Sequence, residues 1–275
     1  ISALFERLKS PMRQWLCACL LLVFASALAA EPMPDHLARR LAAIHAASEA
    51  QAMVAAVIDG EHTYIAGRNA NGQSLIRINS LTKVMTGEVL ANLIAEGRVR
   101  LDDPLKLYAP PAWRGTRATR AITLRDLTAH VSGLPRDMPL GLSKNARWTW
   151  LARQNLARAP GTVAEYSNAA YMFLGDALSE AGGESYEALL KRYVTIPLAL
   201  ADTTLNPSAF QCARLLPTRH PCAPTYEIDA MGGLYSTADD MARWMRAELN
   251  AAPNTPRALA QQAIVRRASL KRVAN

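Results

Sequence analysis

Apolar residues recur along this chain in two rhythms, and the change of rhythm divides it. An alanine-rich amphipathic segment at 35–50 (DHLARRLAAIHAASEA) reads as a helix. In the following stretch, AMVAAVIDGEHTYIAG, two apolar runs flank Asp59-Gly60, a pair that predicts a hairpin. A polar loop over 68–74 leads to 77–97, RINSLTKVMTGEVLANLIAEG. There Val84, Leu90, Leu93 and Ile94 fall at helical spacing and Gly97 supplies a stop, so the segment reads as a buried helix.

Beyond it the pattern is helical or broken by turns. A turn-rich connector at 101–112 precedes a short helix over 123–129 and the loop HVSGLPRD. A helix over 146–159 is stopped by Pro160-Gly161, and a loop at 164–168 opens an apolar helix over 169–181 that ends at Gly182-Gly183. A helix over 184–195 runs into Ile196-Pro197. Gly232-Gly233 predicts a tight turn, Ser236 with Asp239 a capping box for a helix over 237–249, and a last helix covers about 256–267. Strands crowd near the start and helices fill the remainder. A two-stranded hairpin is not a stable sheet alone, so the pattern implies partner strands for 52–66 that the chain does not contain.

The N-terminal end is read as an address. Trp15 to Ala29 (WLCACLLLVFASALA) has the length of a signal-peptide core, follows Arg13 and ends in Ala27-Leu28-Ala29. It is short for a bilayer span. The expectation is a signal peptide over 1–30, cleavage near Ala29 or Ala30, and an exported domain over 31–275 whose only membrane association is through the signal. Met12-Arg13 is a better start for such a signal than Ile1, which would make 1–11 an over-extended reading frame. With Cys17 and Cys19 removed, Cys212 and Cys222 remain, ten apart in a proline-rich stretch. That suits a disulfide in an oxidising compartment, with two free thiols as the alternative.

The 275 residues are half apolar and carry a net charge of +8. Some of the positive charge lies at the two ends, and no basic run is interleaved with aromatics, which argues against nucleic acid. His36, His45, His62 and His220 have no metal-ligand spacing, so no metal or cofactor is expected.

Against this background the Ser80 helix carries the candidate chemistry. Ser80 and Lys83 stand three apart, so on a helix they share one face. A serine hydroxyl needs a base, and a lysine one turn away serves if burial and charge lower its pKa. The alternative is a first-turn serine beside a surface lysine. Tyr166-Ser167-Asn168 adds a phenol that can relay the serine proton and an amide that can hold a substrate carbonyl, with an ordinary turn as the competing reading.

Taken in order, Arg77-Ile78-Asn79-Ser80-Leu81-Thr82-Lys83, Leu101-Asp102-Asp103-Pro104-Leu105, His130-Val131-Ser132-Gly133-Leu134-Pro135, Tyr166-Ser167-Asn168 and Gly232-Gly233-Leu234-Tyr235-Ser236-Thr237 resemble class C β-lactamases and the related low-molecular-weight penicillin-binding proteins. Tyr108-Ala109-Pro110-Pro111, Ala159-Pro160-Gly161, the Cys212/Cys222 pair and Leu270-Lys271-Arg272-Val273 are closer to the AmpH-type D-alanyl-D-alanine carboxypeptidase/endopeptidases within that group. The resemblance implies an α/β (α+β) fold, an antiparallel sheet against a helical lobe, with the active site between them. By this likeness Ser80 would be the acylated nucleophile, Lys83 its base, Tyr166 a proton shuttle to the leaving amine and Asn168 a substrate-amide contact. The Ser80 N–H would be one oxyanion donor, and His130 would be structural.

The group's Lys- or His-Thr-Gly strand is absent from this sequence, as are the strands expected to pair with the hairpin. The reading is therefore of a C-terminally truncated domain, expected to be poorly stable and inactive if made alone. The intact protein is expected to be a periplasmic serine DD-peptidase acting on peptidoglycan peptides and binding β-lactams. The alternatives are a class C-like β-lactamase, an esterase on the same scaffold, or a non-catalytic remnant or wall-binding fragment. Oligomeric state is not legible.

Overall fold

In the computed structural model, residues 32–226 and 228–265 are described; the expected signal peptide and the basic C-terminal residues lie outside them. Helix α1 (Met33–Ala46) carries a proline in its first turn and lies against the hairpin that comes after it. Strands β1 (Met53–Asp59) and β2 (His62–Arg68) pair antiparallel from Met53 opposite Arg68 to Asp59 opposite His62, reversing across Gly60 and Glu61. Among the described residues they pair only with each other. A second small sheet joins β3 (Ile76–Arg77) to β4 (Tyr235–Ser236), with Ile76 opposite Ser236 and Arg77 opposite Tyr235.

Helix α2 (Thr82–Ala95) runs through the centre of the molecule. Every residue from Thr82 to Ala91 except Val84 is buried, as the apolar pattern implied. Its end is a Schellman motif: Gly97, at φ +69, donates its N–H to the Ile94 carbonyl, and the Arg98 N–H reaches the Leu93 carbonyl. In chain order there follow α3 (Arg117–Ala121), α4 (Leu124–Thr128), α5 (Lys144–Ala152), the apolar α6 (Asn168–Gly182), α7 (Tyr186–Leu190) with a wider turn over Lys191–Thr195, α8 (Ala209–Cys212), α9 (Asp229–Gly232), α10 (Ala238–Leu249) and α11 (Pro256–Val265). Of these, α6, α7 with its wider turn, α9 and α11 pack against α2. Among the described residues no helix is long and apolar enough to cross a membrane. Cys212 and Cys222 form a disulfide.

Three expectations need correction. The helix read over 146–159 is α5, which starts earlier because the Ser143 hydroxyl caps it by accepting the Ala146 N–H at 3.3 Å. It stops at Ala152 because the next residues turn back against the loop that holds Gly133, whose missing Cβ would stand 2.2 Å from the Arg158 carbonyl oxygen. The cap of α10 lies one residue later than read: Thr237, not Ser236, accepts the Asp240 N–H, at 3.2 Å. Ser236 is committed to β4 and bonds Thr203 Oγ1 at 2.9 Å, while the Asp239 N–H goes to the Gly72 carbonyl. The third concerns strands: β4 lies far beyond the N-terminal region to which the pattern confined them.

A carboxyl is buried midway along α2. Glu88 is 1% exposed, accepts Trp244 Nε1–H at 2.5 Å and pairs with Arg257, whose Nε is 3.0 Å from Oε2. Burial pushes its carboxyl up to about 7. These bonds fasten α10 and α11 to the central helix. Glu88→Ala should cost about 3 kcal/mol, because it orphans the buried indole N–H and strips Arg257 of a partner, leaving Glu248 at 2.9 Å. Urea unfolding checks this; a loss below about 1 kcal/mol would contradict the fastening role.

Candidate active site

The entry to α2 places a hydroxyl at a mouth. Asn79, in the left-handed region at φ +46, opens a 3-10 turn over Asn79–Leu81, which leaves Ser80 exposed where the helix begins. Three residues on, Lys83 is only 5% exposed. Its ammonium donates to Ser80 Oγ at 3.3 Å, to Asn168 Oδ1 at 2.8 Å and to the Met231 carbonyl. The three protons of the ammonium thus have three acceptors on three separate elements. On the other side Ser80 Oγ is 2.6 Å from the Tyr166 hydroxyl. Ser80, Lys83, Tyr166 and Asn168, picked from the sequence, therefore meet in one place.

Two loops deliver the last pair. Tyr166 precedes α6 and is 37% exposed. Ser167 caps α6 by accepting the Ala170 N–H at 3.0 Å and donates its own hydroxyl to the Pro135 carbonyl at 2.7 Å. The Asn168 N–H bonds the Arg136 carbonyl at 2.6 Å, and its side-chain amide donates to Asp137 Oδ1 at 2.7 Å, which orients Oδ1 toward Lys83. The 130–137 loop is therefore the template on which 165–168 is laid.

Electrostatics favour proton exchange. Burial lowers the Lys83 pKa, opposed by Tyr166 and Asp137 and assisted by Arg136. Burial alone would raise the Tyr166 phenol, but the interactions with Lys83 and Ser80 and the charges of Lys83 and Arg136 outweigh it and bring it below its ordinary 10. The Arg136 guanidinium stands 5.3 Å from the Tyr166 ring centroid and the Lys83 nitrogen 5.0 Å. His130 is held down to about 4 by burial and then by the Lys83 charge; neutral, it accepts the Ser167 N–H at Nδ1.

The arrangement can take a proton from Ser80, hold it on the Lys83–Tyr166 pair and return it to a leaving group. This sets a pH dependence. Rates of acylation at Ser80 should rise with pH through a limb below 10.5 as Lys83 deprotonates. Tyr166 does most to hold the Lys83 pKa up, so the residual activity of Tyr166→Phe should show that limb at lower pH. Second-order labelling rates across pH measure it; a limb that moves to higher pH would contradict the coupling.

Sequence reasoning missed Asp137, Arg136 and the Met231 carbonyl. The charged end of HVSGLPRD was a signal for the first two, but a backbone carbonyl leaves none. Among the described residues no group of three or more His, Cys, Asp or Glu side chains could hold a metal ion.

Known proteins share this arrangement's family. Residues 37–274 match the Beta-lactamase family. The chain is 40% identical over 225 residues to D-alanyl-D-alanine-carboxypeptidase/endopeptidase AmpH of Escherichia coli (strain K12), covering 74% of this chain and 58% of that protein. It is 30% identical over 188 residues to a Beta-lactamase of the same organism, covering 64% and 48%. The chain thus spans less than two thirds of the length of these curated relatives. A Beta-lactamase/D-alanine Carboxypeptidase from Yersinia pestis, solved with citrate, superposes with a TM-score of 0.73 at 38% identity, covering 79% of this chain and 69% of that one. A class C beta lactamase from Rhodobacter sphaeroides has a TM-score of 0.68 at 23% identity, over 83% and 68%, a likeness of fold alone.

Proposed function

This chain belongs to the Beta-lactamase family, and from that premise we propose that the intact protein is an exported serine DD-peptidase that cleaves peptidoglycan stem peptides through an acyl-enzyme on Ser80. The observation that carries the reading is the hydrogen-bonded set at the mouth of α2: Ser80 Oγ 2.6 Å from the Tyr166 hydroxyl and 3.3 Å from Lys83, with Lys83 held by Asn168.

The steps balance on these residues. Ser80 Oγ attacks the carbonyl carbon of a D-Ala-D-Ala bond or a cross-link amide, and its proton passes to the Lys83–Tyr166 pair. The tetrahedral intermediate collapses as the C–N bond breaks, and Tyr166 hands the proton to the departing amine. Asn168, steered by Asp137, presents its amide to the substrate. Water then attacks the Ser80 ester, the same pair taking its proton and returning one to Ser80 Oγ. A β-lactam carbonyl enters the same first step, its opened ring remaining on Ser80. Export rests on the apolar stretch 15–29, and a periplasmic substrate is consistent with the Cys212–Cys222 disulfide.

The test is substrate choice by the intact protein. Released D-alanine from a stem pentapeptide, with a chromogenic cephalosporin consumed only in a stoichiometric burst, is the expected result. Rapid multiple turnover of the cephalosporin without D-alanine release would move the assignment to a β-lactamase on the same scaffold.

A further inference from the structure

His130 makes more contacts with the Tyr166 segment than a loop residue needs. Its carbonyl accepts the Glu165 N–H at 2.7 Å and its Nδ1 accepts the Ser167 N–H at 3.1 Å. Its ring lies 4.5 Å from the Tyr166 ring, centroid to centroid and tilted by 31°. One side chain and its backbone thus touch three consecutive residues, 165, 166 and 167. The far side of the imidazole is fixed as well: it lies 5.1 Å from the Tyr171 ring, and the Tyr171 hydroxyl donates to the Thr128 carbonyl at 3.1 Å, two residues before His130. His130 holds this position in the left-handed region, at φ +56, a conformation uncommon for a residue with a side chain and kept where surroundings enforce it.

Tyr166 needs such support. It is partly exposed, and its hydroxyl must stay within hydrogen-bond reach of Ser80 while facing Lys83. Exposed tyrosines turn freely about their side-chain torsions. We infer that His130 is a positioning residue for Tyr166: its Nδ1 lone pair holds the Ser167 amide and its ring backs the phenol, which sets the distance at which Tyr166 exchanges a proton with Ser80. A neutral imidazole is required, because a protonated Nδ1 cannot accept, and burial beside Lys83 keeps it neutral. This role rests on the serine acyl-transfer reading of the site.

The test compares two variants of the intact protein with a reporter penicillin, separating the limiting acylation rate from the apparent binding constant. His130→Phe keeps a ring and loses the acceptor. His130→Asn places Oδ1 near the position of Nδ1 and tolerates the left-handed backbone, but lacks the ring. The expected result is a fall of about 100-fold in the acylation rate for His130→Phe with binding within about threefold, and recovery to within about tenfold of the native rate in His130→Asn. A merely structural role would not separate rate from binding or track the acceptor atom. A folded His130→Phe that acylates at the native rate would overturn the role. Should His130→Phe fail to fold, His130→Asn decides: a native thermal midpoint with acylation slowed about 100-fold would overturn it. Absence of labelling in the native protein would overturn the acyl-transfer reading instead.

Discussion

Ser80→Ala in the intact protein is expected to abolish covalent labelling by a reporter penicillin while leaving the fold nearly unchanged. The reason is the scarcity of competing nucleophiles around the cleft. Thr82 is fully buried and its Oγ1 accepts the Leu234 N–H at 3.2 Å. Ser167 is buried and bonded to Pro135 and Ala170, and Ser132 and Ser236 are buried too. Among the described residues Ser80 alone combines exposure with contacts to both Lys83 and Tyr166. Because it is exposed and its bonds run only to those two side chains, its loss should change stability by less than about 0.5 kcal/mol. Gel fluorescence and thermal unfolding of the same preparation check both halves. Persistent labelling would remove Ser80 from the mechanism.

The second large effect concerns Lys83. Lys83→Met should slow acylation by about 10²–10⁴-fold, the usual contribution of a positioned acid–base group. Methionine matches the lysine stem in length, and removing a buried ammonium relieves the desolvation that already lowers its pKa. The acceptors it leaves, Asn168 Oδ1 and the Met231 carbonyl, belong to residues that are only partly buried, so the variant should fold. Lys83→Arg sharpens the test. A guanidinium retains the positive charge and can still donate to Asn168 and Met231, yet it does not deprotonate at accessible pH. If Lys83 takes the Ser80 proton, the arginine variant should be as slow as the methionine one. If Lys83 only lends charge to Tyr166, arginine should retain much of the activity. Single-turnover acylation rates distinguish the two, and a Lys83→Arg enzyme near native speed would contradict the base role.

Length and period decided which elements were legible in the sequence. The hairpin was readable because Asp59-Gly60 sits between two β-forming runs, and α2 because fourteen residues of apolar pattern end at a glycine that takes φ +69. The β3–β4 pair was not: two residues a side leave no period to detect, and their partnership joins positions about 160 apart, Ile76 to Ser236. The α10 cap was ambiguous in principle, since Ser236-x-x-Asp239 and Thr237-x-x-Asp240 carry the same signature. Only the pairing of Ser236 with Ile76 decided between them.

The site divides in the same way. Ser80 and Lys83 were legible because a helix turns their spacing into proximity, and Tyr166 with Asn168 because a polar triplet opens an apolar helix. Asp137 and the Met231 carbonyl are supplied by tertiary packing: Thr86 on α2 bonds the Ala230 carbonyl at 2.8 Å, which sets α9 down where the next carbonyl meets Lys83. His130 was readable as structural, but not as the residue that touches 165, 166 and 167 together.

Peptide mapping shows which side chain is the nucleophile. Trypsin cleaves after Arg77 and Lys83, so the serine lies in the short peptide 78–83. After reaction of the intact protein with a penicillin, the mass of the opened drug is expected on that peptide, with fragmentation placing it on Ser80. An adduct on another peptide, or on Thr82 within this one, would contradict it.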